Sequence, residues 1–186
     1  MLKVSFPSWR SGRAYVGAAL IVFGIAAAHA QSQRRSGDVL ATAMPIATLG
    51  TELVLGDRDG AWQYALTLTV SMASTEVLKK ATHVERPDGS NDKSFPSGHA
   101  VRAFSVSSYV RRRHGLDAAW PLYVAGLYVG HTRAAIHRHR WRDIAGAALV
   151  SEGAALWFVE PRTNAKVVVT PVLSHGSFGL HVTARM

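Results

Sequence analysis

The stretch PSGHAVRAFSVSSYVRRR, Pro96 to Arg113, decides how the rest of the chain is read. Ser97 stands where a helix N-cap stands, and a helix follows to about Arg113. Working outward, Pro87-Asp88-Gly89-Ser90-Asn91-Asp92 is a loop by composition. Before it, Trp62 to Lys80 carries Leu66, Val70, Ala73, Val77 and Leu78 at helix-like intervals. Val39 to Leu55 is apolar and ends at the turn-rich Gly56-Asp57-Arg58-Asp59-Gly60. Beyond Arg113, Ala118 to Ala135 and Asp143 to Val159 are the next helical stretches, and Pro161 closes them. The expectation is an all-α bundle of about five helices. The tail differs: Lys166 to Leu173 is valine-rich, Ser174 to Ser177 reads as a turn, and Phe178 to Ala184 alternates apolar and polar, which predicts a short β-hairpin.

The chain of 186 residues suits one domain with a real core. It contains no cysteine, which excludes disulfides, thiolate catalysis and cysteine-based metal sites. Lys3, Arg10 and Arg13 precede the apolar stretch Tyr15 to Ala27, and Ala28-His29-Ala30 follows as a small-x-small site. Residues 1–30 therefore read as an export signal, with an uncleaved anchor as the alternative. Residues 31–162 read as the bundle and 163–186 as a C-terminal extension. None of the helical stretches reaches the roughly 20 apolar residues of a membrane span, although a bundle resting on a bilayer fits the same pattern.

The net charge of +9 suits phosphate-rich partners. No zinc-finger spacing or RNA-recognition signature points to nucleic acid. The densest basic run, Arg111-Arg112-Arg113-His114, is expected to be a solvated helix C-terminus favoured by the helix dipole.

Three clusters carry chemistry. Ser97 and Gly98 at a helix start offer a hydroxyl, free backbone N–H groups and room for an anion, with His99 in the first turn. Arg133 can grip two phosphate oxygens with its planar fork. His139 and Asp143 are four residues apart, so a carboxylate can hold one ring nitrogen and leave the other as a directed nucleophile or base. Asp143 also reads as a helix N-terminal acid balancing the dipole. Lys79 and Arg86 would add charge; convergent cations neutralise a phosphoryl dianion. Their alternative reading is simple solvation.

The ordered pattern Lys79-x6-Arg86-Pro87, Pro96-Ser97-Gly98-His99 and Arg133-x5-His139-x3-Asp143 resembles the type 2 phosphatidic acid phosphatase superfamily, which also includes acid phosphatases and vanadium-dependent haloperoxidases. The resemblance spans residues 79 to 143, about a third of the chain. It implies an all-α bundle and a metal-independent phosphatase acting on phosphomonoesters or pyrophosphates, with no cofactor. It implies that His139 attacks phosphorus, that Asp143 orients it, and that His99 protonates the leaving oxygen and then activates water. Lys79, Arg86, Ser97, Gly98 and Arg133 would hold the phosphoryl oxygens. Thr132 stands where the family usually has serine, and keeps the hydroxyl. The short loop from Pro87 to Pro96 is closer to the lipid-phosphate branch. The implied partners are a phosphorylated substrate, lipids among the candidates, and an anionic membrane surface. The implied location is exported, either periplasmic or membrane-associated.

Two other functions fit parts of the pattern. A haloperoxidase would hold vanadate in the same oxyanion site, against which the small chain argues. A non-catalytic binder of anionic lipid would use Arg111 to Arg113 and would need no spaced His139 and Asp143. The remaining histidines read as bystanders. His137 lacks the spacing to Arg133 and Asp143, His83 and His131 lie near the motifs, and His114, His175 and His181 have no partner visible in the sequence.

Overall fold

The computed structural model describes residues 33–162, 167–174 and 177–184. The export signal expected over residues 1–30 lies outside them. Five helices follow one another: α1 (Gln33–Val54), α2 (Arg58–Thr82), α3 (Gly98–His114), α4 (Leu116–Ala135) and α5 (Trp141–Phe158). Two strands complete the chain, β1 (Val167–Ser174) and β2 (Ser177–Ala184). They pair antiparallel, with Val167 opposite Ala184 and Ser174 opposite Ser177. The all-α bundle matches the expectation. The largest boundary difference is in α1, which begins six residues before Val39, because the polar run Arg34 to Asp38 continues the helix.

Helix α3 packs against each of the other four. A helix in that position must be buried nearly all round. It is: Ala100, Val101, Ala103, Phe104, Val106, Tyr109 and Val110 are buried, and so are Ser105, Ser107 and Ser108. The serine hydroxyls cost little there because they are bonded, Ser105 to Arg102 O at 2.8 Å and Ser108 to Glu152 Oε1 at 3.0 Å. Two apolar clusters divide the interior. The larger holds Leu40, Met44, Tyr64, Tyr109, Leu122 and Val129. The smaller, Ala100, Val101, Phe104, Ile144 and Ala147, joins the first turns of α3 and α5 and so forms the floor beneath the three motifs. Close approach there requires glycine: a Cβ on Gly130 would stand 2.6 Å from Ile144, and one on Gly146 2.3 Å from the Phe95 ring.

The basic run at the end of α3 is not a solvated face. Arg113 is 8% exposed and places its fork on Asp57, with Nη2 to Oδ1 at 2.8 Å and to Oδ2 at 2.7 Å. Asp57 also caps α2 through Gly60 N–H at 2.9 Å. Burial works against the Asp57 charge, yet the bonds from Arg113 and Gly60 prevail and hold its carboxyl below the usual range. Arg111 pairs with Glu152, and Arg112 Nε donates to Val159 O at 3.2 Å. His114 likewise has a partner, since its Nε2 lies 3.0 Å from the buried Glu52 Oε1. These arginines tie the end of α3 to α2 and α5. A lipid-binding surface built on them is thereby undercut.

Several large apolar side chains are exposed on the outer surface of the bundle. Leu116, Trp120, Val124 and Leu127 form an exposed stripe on α4, Ile46 and Leu53 are exposed on α1, and Leu149, Leu156 and Trp157 on α5. Among the described residues, no helix is long and apolar enough to cross a membrane.

Candidate active site

The end of the bundle where α1, α3 and α5 begin and α2 and α4 finish holds a cleft of about 410 Å³. Lys79, Arg86, Gly98, His99, Arg133 and His139 line it. Local structure explains the convergence. Lys79 sits in the last turn of α2, and Arg133 in the last turn of α4. The chain then reverses through His137, whose φ of 55° lies in the left-handed region. Arg138 and His139 both donate their backbone N–H to Arg133 O, at 3.1 and 3.3 Å, which folds His139 back over the end of α4. His137 is exposed and His139 is buried.

His139 is oriented by the Ser94 carbonyl, not by Asp143 directly. Its Nδ1 lies 2.8 Å from Ser94 O and 3.6 Å from Asp143 Oδ2. A carbonyl oxygen can only accept, so Nδ1 carries the proton and Nε2 keeps the lone pair. Asp143, fully buried, accepts from Ser94 Oγ at 2.6 Å and from Arg140 N–H at 2.8 Å. Its Oδ1 accepts no hydrogen bond among the described residues. It is thus both the helix N-terminal acid and a charge beside the imidazole. Burial, then the Arg86 charge, lowers the His139 pKa from 6.5 to about 4, and Asp143 only partly opposes this. The imidazole is therefore neutral at neutral pH.

A scan of family models matches the PAP2 superfamily over residues 60–165. The chain belongs to the PAP2 superfamily. No curated protein matches it in sequence. In structure it is similar to LpxE of Aquifex aeolicus, with a TM-score of 0.57 and 15% identity, over 84% of this chain and 98% of that one. At that identity the likeness is one of fold. As a PAP2 protein the chain is a phosphatase, a phosphoric ester hydrolase.

In this PAP2 chain, two expected site residues stand behind the cleft rather than in its lining. Asp143 is one. Ser97 is the other: it occupies the N-cap position of α3 but makes no capping bond, and its buried hydroxyl has no partner among the described residues. Its N–H donates to Asp143 O at 3.1 Å, which joins the start of α3 to α5. Gly98 lies beside Lys79, whose Nζ is 3.4 Å from where a Cβ on Gly98 would stand. Lys79 pairs with Glu76 at 2.7 Å, and Arg86 Nε donates to Asn91 Oδ1 at 2.9 Å.

The sequence reading missed several lining residues. Arg102 and Glu76 lie three residues from His99 and Lys79 on their helices, so the same-face rule could have found them. Arg138 pairs with Asp88 at 3.3 Å and donates to Ser90 Oγ at 3.0 Å, which pins the loop at the mouth of the cleft. Asp38, from α1, had no local signal. Its Oδ1 lies 3.0 Å from His99 Nε2 and 2.8 Å from Arg133 Nη1. Burial, then the charges of Arg133 and Arg102, lowers the His99 pKa, while Asp38 pulls it up. The bystander histidines are accounted for separately. His83 pairs with Asp92 at the surface, and His131 lies against Trp141 with ring centres 6.3 Å apart. His175 lies outside the described residues. Among those residues, no cluster of three or more His, Asp or Glu could hold a metal ion.

Proposed function

We propose that the chain is a metal-independent phosphatase of lipid phosphates that works through a phosphohistidine on His139. The observation that carries this reading is the bond from His139 Nδ1–H to the Ser94 carbonyl, which leaves Nε2 as an unprotonated nucleophile in a cleft lined by Lys79, Arg86 and Arg133. Nε2 attacks phosphorus, and the bond from phosphorus to the leaving oxygen breaks. His99 gives that oxygen its proton. The imidazolium formed on phosphorylation stands beside the Asp143 carboxylate, which stabilises it. Water, deprotonated by His99, then attacks phosphorus; the P–N bond breaks and its electron pair returns to Nε2. The cations bind the equatorial oxygens throughout. A bound phosphoryl dianion also favours the protonated form of His99, offsetting the arginine charges that disfavour it in the free protein.

The lipid assignment rests on the exposed apolar side chains that α1, α4 and α5 present on the outside of a bundle with a cationic cleft at one end, together with the fold shared with LpxE. A bundle of this kind lies against an anionic membrane surface, exported, with its cleft facing away from the cytoplasm. The test is phosphate release from phosphatidic acid and from soluble phosphomonoesters, in the presence of a chelator. His139→Ala is expected to reduce turnover by about 10⁴-fold or more, and a brief reaction of the wild type should trap an acid-labile, alkali-stable phosphoryl group. Undiminished turnover in the variant, or activity abolished by the chelator, would overturn the reading.

A further inference from the structure

The cleft contains a second histidine–carboxylate pair, and it is more direct than the first. Asp38 Oδ1 reaches both His99 Nε2 at 3.0 Å and Arg133 Nη1 at 2.8 Å. Asp38 lies on α1, outside the residues that match the family model. Its neighbour Gly37 explains how it gets there. A Cβ on Gly37 would stand 2.1 Å from Thr132 Oγ1 and 2.7 Å from Arg133 Nη2, so only glycine lets α1 come this close to α4. Ser36 fixes the same turn through its hydroxyl, 2.9 Å from Tyr128 Oη. The first turns of α1 are thus held against α4 with the carboxylate turned into the cleft.

We propose that Asp38 is a positioning residue for the acid/base step: it holds His99 by Nε2 and leaves Nδ1 as the nitrogen that exchanges a proton with the leaving oxygen. The reasoning is the same as for His139. A carboxylate accepts, so the Nε2 facing it carries a proton, and the second proton of the imidazolium must come and go at Nδ1. The charged groups around His99 are Asp38 on α1, Arg102 on its own helix and Arg133 on α4. Two of these disfavour a protonated ring and Asp38 alone favours it. Without Asp38, His99 in the free protein would face two guanidinium groups, and only the bound phosphoryl group would remain to stabilise its acid form. The shared oxygen also holds the Arg133 guanidinium at a fixed place beside His99.

This inference rests on the phosphohistidine reading, and the experiment separates the two. The full chain and its Asp38→Asn and Asp38→Glu variants are assayed on p-nitrophenyl phosphate and on a simple alkyl phosphate. The readout is kcat/KM, which reports the step in which the leaving group departs. An alkoxide needs a proton to leave; p-nitrophenolate does not. Asp38→Asn is expected to lose about 10²-fold on the alkyl ester and under about 3-fold on the nitrophenyl ester, with Asp38→Glu recovering part of the loss. Equal losses on both esters would assign Asp38 to phosphate binding through Arg133 and overturn the proposal. Unchanged or raised activity would overturn it as well, making Asp38 a counter-ion that substrate displaces. Nitrogen-15 spectra of the wild-type imidazoles supply a check that needs no variant: His99 protonated at Nε2 in the neutral ring supports the proposal, and the Nδ1–H tautomer overturns it. Failure of the phosphohistidine reading itself would show instead in the wild type and in His139→Ala.

Discussion

The two histidine–aspartate pairs of the cleft are built in opposite ways. His139 and Asp143 share one short segment, are almost fully buried, and do not bond to each other; Ser94 stands between them, accepting from the ring with its carbonyl and donating to the carboxylate with its hydroxyl. His99 and Asp38 come from different helices, are partly exposed, and bond directly. Burial accounts for the difference. A polar group buried away from water needs hydrogen-bond partners, so Asp143 Oδ2 is taken up by Ser94 and Arg140. A carboxylate at the cleft wall keeps water for company and can give its whole attention to the ring and one guanidinium. The inner pair suits a ring that must be neutral when it attacks, and the outer pair one that must gain and lose a proton.

The largest expected effect that would test this contrast is Asp143→Asn. Where a carboxylate alone fixes the tautomer of a catalytic histidine, such a change costs about 10⁴-fold. Here the Ser94 carbonyl holds the tautomer, so kcat should fall only about 10²-fold, the part due to lost charge beside the imidazolium. A 10⁴-fold fall in steady-state turnover would mean that Asp143 fixes the ring after all. A smaller effect is expected for Ser94→Ala, which keeps the carbonyl and removes the hydroxyl. Asp143 Oδ2 then retains only the Arg140 N–H, and stability should fall by about 1–3 kcal/mol in urea titrations, with kcat reduced about tenfold or less. Loss of all turnover in a folded variant would break the division of labour between the two groups of Ser94.

The smallest signal is in the pH dependence of stability. His139 is depressed from 6.5 to about 4, and His99 is depressed too. Between those values the unfolded chain binds more protons than the folded one, so stability rises with pH. The wild type should therefore lose stability as pH falls from about 6.5 toward 4, and His139→Gln should lose less over that window. Urea midpoints at both ends of the window measure this; parallel behaviour of the two proteins would contradict the depressed value.

The inner pair was legible in the sequence and the outer one was not. Four-residue spacing announces His139 and Asp143, and the glycine-containing helix start announces Ser97 to His99. The helices were legible because apolar spacing and loop composition are local signals. Asp38 is 95 residues from Arg133 and sits in a polar run that resembles the aftermath of a leader. Ser94 belongs to a loop where a serine is unremarkable by composition. The Arg113 pairing with Asp57 crosses 56 residues, so a run that looks solvated by charge density turns out to be a clasp between α2 and α3. Local pattern reports what an element is; only tertiary closure reports which of its polar groups are spoken for.

Ser94 to His99 has a mechanical consequence. Six consecutive residues carry the anchor of one histidine, the tie to Asp143, the anion-facing backbone of Gly98 and the other histidine itself. The segment is seated on α5 by Phe95, whose ring lies over Gly146. When the bundle breathes, these groups travel together, so their mutual distances drift far less than their absolute positions. Relative motion is left to Lys79 and Arg86, which reach the cleft from the end of α2 and the loop after it on long, articulated side chains able to follow. The reacting parts form one casting, and the compliance is assigned to the groups that only need to supply charge.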